Sequence, residues 1–182
     1  MESFPKSGTL TPAVSARDHS QGPSSARVTL VEFGDYQCPA CGAAYPVVKG
    51  LQETFPKDLR LIFRNFPLTR SHPYATAAAE TAEAAALQGK FWEMHDLLFE
   101  RQHLLEPEAL ASWAQELGLD LEQFKAALTA GDIETRIKED RMSAIRSGVS
   151  GTPGFFINGF KYDGPTDYGS MRAVIEEAIN AS

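Results

Sequence analysis

The sequence predicts an α/β fold in which a strand–helix–strand unit at the start and a strand–strand–helix unit at the end are separated by helices. An apolar, β-branched run at 27–34 and an alternating run at 59–66 flank a segment with helical spacing. From 72 to 148 the apolar periodicity is helical, interrupted by glycines typical of helix ends. A short apolar run at 154–158 then meets Asn158-Gly159, a hairpin turn signal, before a final amphipathic helix.

Composition limits the class of protein. A chain of 182 residues is long enough for a sizeable core and favours one domain. A net charge of −7 argues against nucleic acid as a partner, because phosphate binding needs a basic face. No apolar run approaches the length of a membrane span. Met1 begins a polar segment without a secretory signal, so we expect a cytoplasmic location, or a periplasmic or extracytoplasmic one if a signal has been removed.

Residues 1–26 are rich in Ser, Thr, Pro and Gly and show little periodicity. This composition predicts an N-terminal arm that is partly disordered or loosely docked. The turn-forming sequence at 22–25 would separate the arm from the first clear strand.

The first α/β unit follows. The run at 27–34 is dense enough in apolar residues to be a central, parallel strand. Pro39 suits the first turn of a helix, where its missing N–H is not needed, and that helix should end near 55. The alternating run at 59–66 predicts the second strand. Strand, helix and strand together predict a right-handed parallel βαβ unit.

The sequence has two cysteines, Cys38 and Cys41, and they stand two residues apart between the first strand and its helix. The unpaired N–H groups and the positive dipole end of a helix N-terminus favour a thiolate, which is the nucleophile in disulfide exchange. We therefore expect Cys38 to attack and Cys41 to resolve, because Cys38 is nearer the open end of the helix.

Glu32 is an acid inside an otherwise apolar strand. Burial near the dithiol would raise its pKa and let it carry a proton to or from Cys41. The alternative is that Glu32 points to a solvated face of the sheet.

A Cys-x-x-Cys pair is also half of a structural zinc site. Such sites usually take four Cys or His ligands at close spacing. The four histidines are His19, His72, His95 and His103, and none of them adjoins the cysteines or forms a compact pair. In a cytosolic chain, a Cys-x-x-Cys beside a strand–helix pattern indicates redox chemistry.

Four segments together resemble one known family: VTLVEFGDYQCPACGAAYP, FRNFPL, GKFWEMHDLLF and SGVSGTPGFFINGFKYDG. They are similar to DsbA-type thioredoxin-fold thiol–disulfide oxidoreductases. The likeness is strongest to a bacterial subgroup related to domains fused to sodium/proton antiporters, and it covers about 21–179.

The resemblance implies an α/β thioredoxin fold made of 27–71 and 149–182, with 72–148 as an inserted helical subdomain. It implies a cis Thr152–Pro153 bond beside the dithiol, where these two residues bind the substrate chain. It also places Glu32 where the family carries a buried acid.

Two departures from the family pattern bear on redox strength. Strong oxidants of this family carry Pro-His between the cysteines, whereas this chain carries Pro39 and Ala40. We expect the pKa of Cys38 to lie between about 3.5 and about 7, and the potential between about −120 and about −270 mV. Gly154 replaces a larger residue and is expected to loosen the substrate loop.

The predicted function is thiol–disulfide exchange on protein thiols and disulfides through Cys38 and Cys41, without cofactor or metal, together with an unidentified redox recycling partner. Reduction or isomerisation would use the same residues. A redox-sensing regulatory domain without turnover and a zinc-binding interaction module are the alternatives from other classes.

Overall fold

The computed structural model describes residues 7–182, which form a six-stranded mixed sheet with helices on both faces. The strands are β1 (Ser7–Thr9), β2 (His19–Gln21), β3 (Val28–Gly34), β4 (Leu59–Asn65), β5 (Gly154–Ile157) and β6 (Phe160–Tyr162). The helices are α1 (Pro39–Thr54), α2 (Ala75–Ala86), α3 (Phe91–Glu100), α4 (Pro107–Glu116), α5 (Leu121–Thr129), α6 (Asp132–Arg146) and α7 (Tyr168–Asn180). A short 3₁₀ turn at Gln102–Leu104 follows α3.

Strand β3 lies inside the sheet, whose order is β1-β6-β5-β3-β4-β2. It pairs in parallel with β4 and antiparallel with β5, so that Val31 lies beside Ile62 on one side and Phe156 on the other. The continuous apolar run predicted this central place, because a strand covered on both faces needs no polar alternation. The predicted α/β class and the order of its elements are confirmed.

Two apolar layers cover the sheet. Helices α1 and α7 pack on one face, where Leu30 and Leu61 meet Leu51 and Met171. The C-terminal part of α6 helps to cover the other face, with Ala144 in the same cluster as Phe33 and Phe156. Helix α1 begins at Pro39 and ends at Thr54, as its sequence predicts.

Helices α2 to α6 stand between β4 and β5 in the chain and enclose an apolar cluster of their own. The alanines of α2 let α3 to α6 approach it closely, and Ala78 and Ala82 are fully buried. Tyr36 and Cys41 belong to the same cluster, so the helical block touches the dithiol region directly.

The prediction of a disordered or loosely docked arm at 1–26 is wrong for residues 7–26. β1 and β2 are the two edge strands of the sheet. Between them the segment is held by Arg64 of β4, which is 3% exposed. Its guanidinium donates to both carboxylate oxygens of Asp18 at 2.8 and 2.9 Å and to the carbonyls of Pro12 and Ala13. Residues 1–6 of the predicted arm lie outside the described residues.

The composition of the segment predicted disorder because it does not contain the residue that holds the segment in place. That residue, Arg64, belongs to a strand more than forty positions further along the chain. Within residues 7–182, no helix has the length and apolar character needed to cross a membrane.

Candidate active site

The two cysteines lie where β3 leads into α1. Cys38 is the N-cap residue of α1, with extended backbone, and Cys41 lies in the first turn. Both are free thiols; Cys38 is 6% exposed and Cys41 is fully buried. Pro39 and Ala40, between them, are exposed, so the site is open to solvent on this side.

The environment lowers the pKa of the Cys38 thiol to about 5. The main cause is a hydrogen bond from the Cys41 thiol, which outweighs the opposing effect of burial. The nearby Thr152 and the backbone N–H groups of Cys41 and Ala40 act in the same direction. The value lies within the expected range, and N–H groups of the helix N-terminus contribute as predicted.

The pKa of Cys41 is raised far above its ordinary value. The hydrogen bond that stabilises the Cys38 thiolate holds the proton on Cys41, and burial and the negative charge of Glu32 act in the same direction. Neighbouring thiols therefore have opposite tendencies: one favours the thiolate and the other favours the thiol.

Glu32 is 2% exposed, so the alternative in which it points to a solvated face is wrong. Burial, helped by the charge of Cys38, raises its pKa to about 8. Its Oε1 has no hydrogen-bond partner among residues 7–182. A buried, largely protonated acid with one unpartnered oxygen is thus near enough to the dithiol for its charge to affect both thiols.

The loop before β5 reaches the same site. The Thr152–Pro153 peptide bond is cis. The Sγ atom of Cys38 lies 3.6 Å from the Thr152 carbonyl oxygen, which accepts its hydrogen bond. A Cβ at Gly154 would come within 2.7 Å of Val149 Cγ1. Close packing on Val149 therefore accounts for glycine here, and the expectation that Gly154 loosens the loop finds no support in this contact.

Three further residues support the dithiol turn and were not singled out from the sequence. The buried Asp35 carboxylate accepts from the N–H of Cys38 at 3.2 Å and from His72 Nδ1 at 2.8 Å. Gln102 Nε2 donates to the carbonyls of Tyr36 at 2.9 Å and Cys38 at 2.8 Å. An acid directly after an apolar strand was a visible signal for Asp35; His72 and Gln102 come from distant segments and carry no local signal.

Within the part of the chain that the structure describes, no group of three or more His, Cys, Asp or Glu side chains is arranged to hold a metal ion. The zinc alternative therefore draws no support from the geometry of these residues.

A family model described as Thioredoxin matches residues 15–177. Among solved structures, a thioredoxin-like oxidoreductase from Silicibacter pomeroyi DSS-3 superposes with a TM-score of 0.82 at 28% identity, covering 92% of this chain and 95% of that one. Oxidised BdbD from Bacillus subtilis gives 0.79 at 24% identity, covering 88% and 92%. Wolbachia pipientis α-DsbA1 gives 0.81 at 21%, covering 92% and 94%. The structural neighbours are thus of DsbA type, as the sequence motifs suggested.

Curated relatives point to a different context. The Na⁺/H⁺ antiporter NhaA 1 of Salinispora arenicola (strain CNS-205) is 46% identical over 170 residues, which are 93% of this chain and 26% of that protein. The NhaA antiporter of Herminiimonas arsenicoxydans is 42% identical over 159 residues, 87% of this chain and 25% of that protein. The chain thus spans about a quarter of the length of these relatives.

Proposed function

The chain belongs to the thioredoxin family, whose model matches residues 15–177, and on that basis we propose that it is a thiol–disulfide oxidoreductase acting on protein thiols. Cys38 is the nucleophile and Cys41 the resolving thiol. The observation that carries the proposal is the unequal acidity of the pair: the pKa of Cys38 is lowered to about 5, while that of Cys41 is raised. Disulfide exchange needs one thiolate and one thiol held in reserve.

In the oxidising direction, a substrate thiolate attacks Cys38 Sγ of the Cys38–Cys41 disulfide. A substrate–Cys38 disulfide forms and the Cys41 thiolate leaves, taking up a proton. A second substrate thiolate then attacks the substrate sulfur of the mixed disulfide, and Cys38 leaves as the thiolate. The substrate loses two electrons and the dithiol gains them.

Glu32 is the proposed source of that proton. Its raised pKa of about 8 keeps it mostly protonated at neutral pH, and its unpartnered Oε1 lies in the same buried region as Cys41. In the reducing direction, Glu32 in its ionised form would accept the proton that Cys41 loses when it attacks the mixed disulfide.

Thr152 and Pro153 are the proposed substrate-binding residues. Their loop lies against Cys38 through the Thr152 carbonyl. An extended substrate segment could pair with backbone there, in the manner of strand addition to an exposed edge.

Pro39 and Ala40 are the proposed tuning residues. Neither side chain offers a charge or a donor to the Cys38 thiolate. A pKa of about 5 accordingly supports a potential between those of the strong oxidants and the reductants. Equilibration with glutathione measures it: about −120 mV would indicate an oxidase, and about −270 mV would indicate a reductase.

A pair of serine variants tests the proposal. Incubated with an unfolded protein that carries a disulfide, C41S should accumulate a mixed disulfide through Cys38, because the resolving thiol is gone. C38S should form none, since Cys41 is buried and protonated. Mixed disulfides on non-reducing gels of both variants, or of neither, would contradict these roles.

A redox-sensing domain is the second candidate, favoured by the 46% identity to a quarter of an antiporter. It predicts that Cys38 and Cys41 form a disulfide under oxidant while substrate turnover stays at the level of C38S. Turnover of a model disulfide at many cycles per chain, in the presence of a thiol reductant, would exclude it.

A further inference from the structure

The Asp35 carboxylate lies at the centre of the dithiol turn. Its side chain is fully buried. Oδ1 accepts from the N–H groups of Gln37 at 2.8 Å and Cys38 at 3.2 Å. Oδ2 accepts from the N–H of Leu68 at 2.8 Å and from His72 Nδ1 at 2.8 Å. Four donors surround two oxygens, so the hydrogen-bonding needs of this buried carboxylate are met by the protein instead of by water.

This carboxylate joins two loops that follow neighbouring parallel strands. The loop after β3 carries Asp35 and Cys38, and the loop after β4 carries Leu68 and His72. Three of the four donors are backbone N–H groups, which an ordinary change of side chain leaves in place. The fourth, His72, is the one side chain among them; its side chain is 18% exposed and precedes α2.

A buried negative charge close to Cys38 disfavours a second negative charge on its sulfur. The four donors spread the Asp35 charge and hold the turn in which Cys38 caps α1. That position presents Cys38 to the N–H groups of Ala40 and Cys41. Weakening the donor set would therefore raise the pKa of Cys38 in two ways. The charge of Asp35 beside the sulfur would be less well balanced, and the turn that holds Cys38 at the start of α1 would be looser.

We propose that His72 is a positioning residue of the dithiol site, which acts through the Asp35 carboxylate to keep Cys38 in its thiolate form. The inference rests on the proposed role of Cys38 as the nucleophile. Among the described residues, His72 makes its hydrogen bond to Asp35 and none to either sulfur, so it is not a catalytic residue. Changing Asp35 itself would remove a charge and loosen the turn together, with opposite effects on the thiolate, which makes His72 the informative position.

The test is the pH profile of Cys38 alkylation in the reduced protein, where buried Cys41 stays unreactive. H72A should raise the pKa of Cys38 by about one unit, because it removes the one side-chain donor to the Asp35 carboxylate beside the dithiol turn. H72N should remain close to wild type, because an asparagine amide can donate to Asp35 from nearly the place of Nδ1. H103A is the matched control: His103 is exposed and should leave the profile unchanged.

A folded H72A with the wild-type profile would overturn the inference, as would an H72N that behaves like H72A. A wild-type Cys38 pKa above about 8 would instead contradict the proposed function itself. Should H72A fail to fold, the wild-type protein supplies the answer by reciprocity. Alkylation of Cys38 should shift the NMR signals of the His72 ring and not those of His103, and equal or absent responses would refute the coupling.

Discussion

At the scale of single residues, burial has opposite consequences for neighbouring groups. Cys38 keeps a lowered pKa because donors reach its sulfur, whereas Cys41 keeps its proton in the hydrogen bond to Cys38 and Glu32 keeps its proton because it is buried. The sequence predicted a role for all three residues, but it left two interpretations of Glu32, a buried acid beside the dithiol or an acid on a solvated face. The burial of Glu32 decides between them. From the sequence alone, Glu32 could face solvent, but the apolar layers on both faces of the sheet bury it.

Glu32→Gln tests this burial. Since the pKa of Glu32 rises from 4.5 to about 8 on folding, its stabilising contribution is complete below about pH 4.5 and disappears as the pH rises through 8. Ionisation then costs at most about 5 kcal/mol. E32Q cannot ionise, so its free energy of unfolding relative to wild type should increase by a few kcal/mol between pH 5 and pH 9.

Urea unfolding of the reduced proteins measures the difference, with the exposed Glu53→Gln as control. A pH dependence equal in E32Q and wild type would mean that Glu32 ionises as freely in the folded chain as in the unfolded one.

At the scale of elements, the N-terminal segment depends on one arginine. All five N–H donors of Arg64 have partners: Asp18 twice, Ser143, and the carbonyls of Pro12 and Ala13. The segment from β1 to β2 thus gains its order from β4 and α6 rather than from its own sequence. For this reason, the local composition wrongly predicted that the segment is disordered.

Arg64→Ala should lower the free energy of unfolding by about 3–5 kcal/mol, because it removes the buried guanidinium that balances the charge of the Asp18 carboxylate. Arg172→Ala, which removes an exposed pair with Glu176, should cost no more than about 1 kcal/mol. Thermal or urea unfolding compares the two. Equal losses in both variants would show that Arg64 is not the anchor.

The loop before β5 offers a second test at this scale. Gly154→Ala should destabilise the protein by about 1–3 kcal/mol, because the new Cβ would overlap Val149. Gly151→Ala, three positions earlier, meets nothing within 4 Å and should be nearly neutral. Val149→Ala should relieve the overlap, so a double variant no more stable than expected from additive losses would contradict this packing.

At the scale of the whole molecule, the site is assembled from distant parts of the chain. Hydrogen bonds join the dithiol turn at 35–41 to three other parts of the chain, namely the Thr152–Pro153 loop, His72 and Gln102. The helices between β4 and β5 supply Gln102 and share an apolar cluster with Cys41. The redox state of two sulfurs is thereby linked to the stability of the entire fold.

We expect the reduced protein to be more stable than the oxidised one at pH 7. The lowered pKa of Cys38 stabilises the folded reduced protein. This contribution is complete above pH 9.0, the ordinary pKa of the thiol, is partly present at pH 7, and is lost as the pH falls through about 5. Urea midpoints of the two forms at pH 7 and pH 4 check it. An oxidised form that is more stable at pH 7 would contradict the proposed thiolate.

The sequence by itself determined the α/β class, the order of strands and helices, and the dithiol at the start of α1. These follow from local periodicity and from residues adjacent in the chain. Only the tertiary structure decided that Glu32 is buried, that Arg64 orders the N-terminal segment, and that His72 supports Asp35. Each of these depends on the free energy of a polar group removed from water, and the partners that determine it come from segments that no local pattern connects.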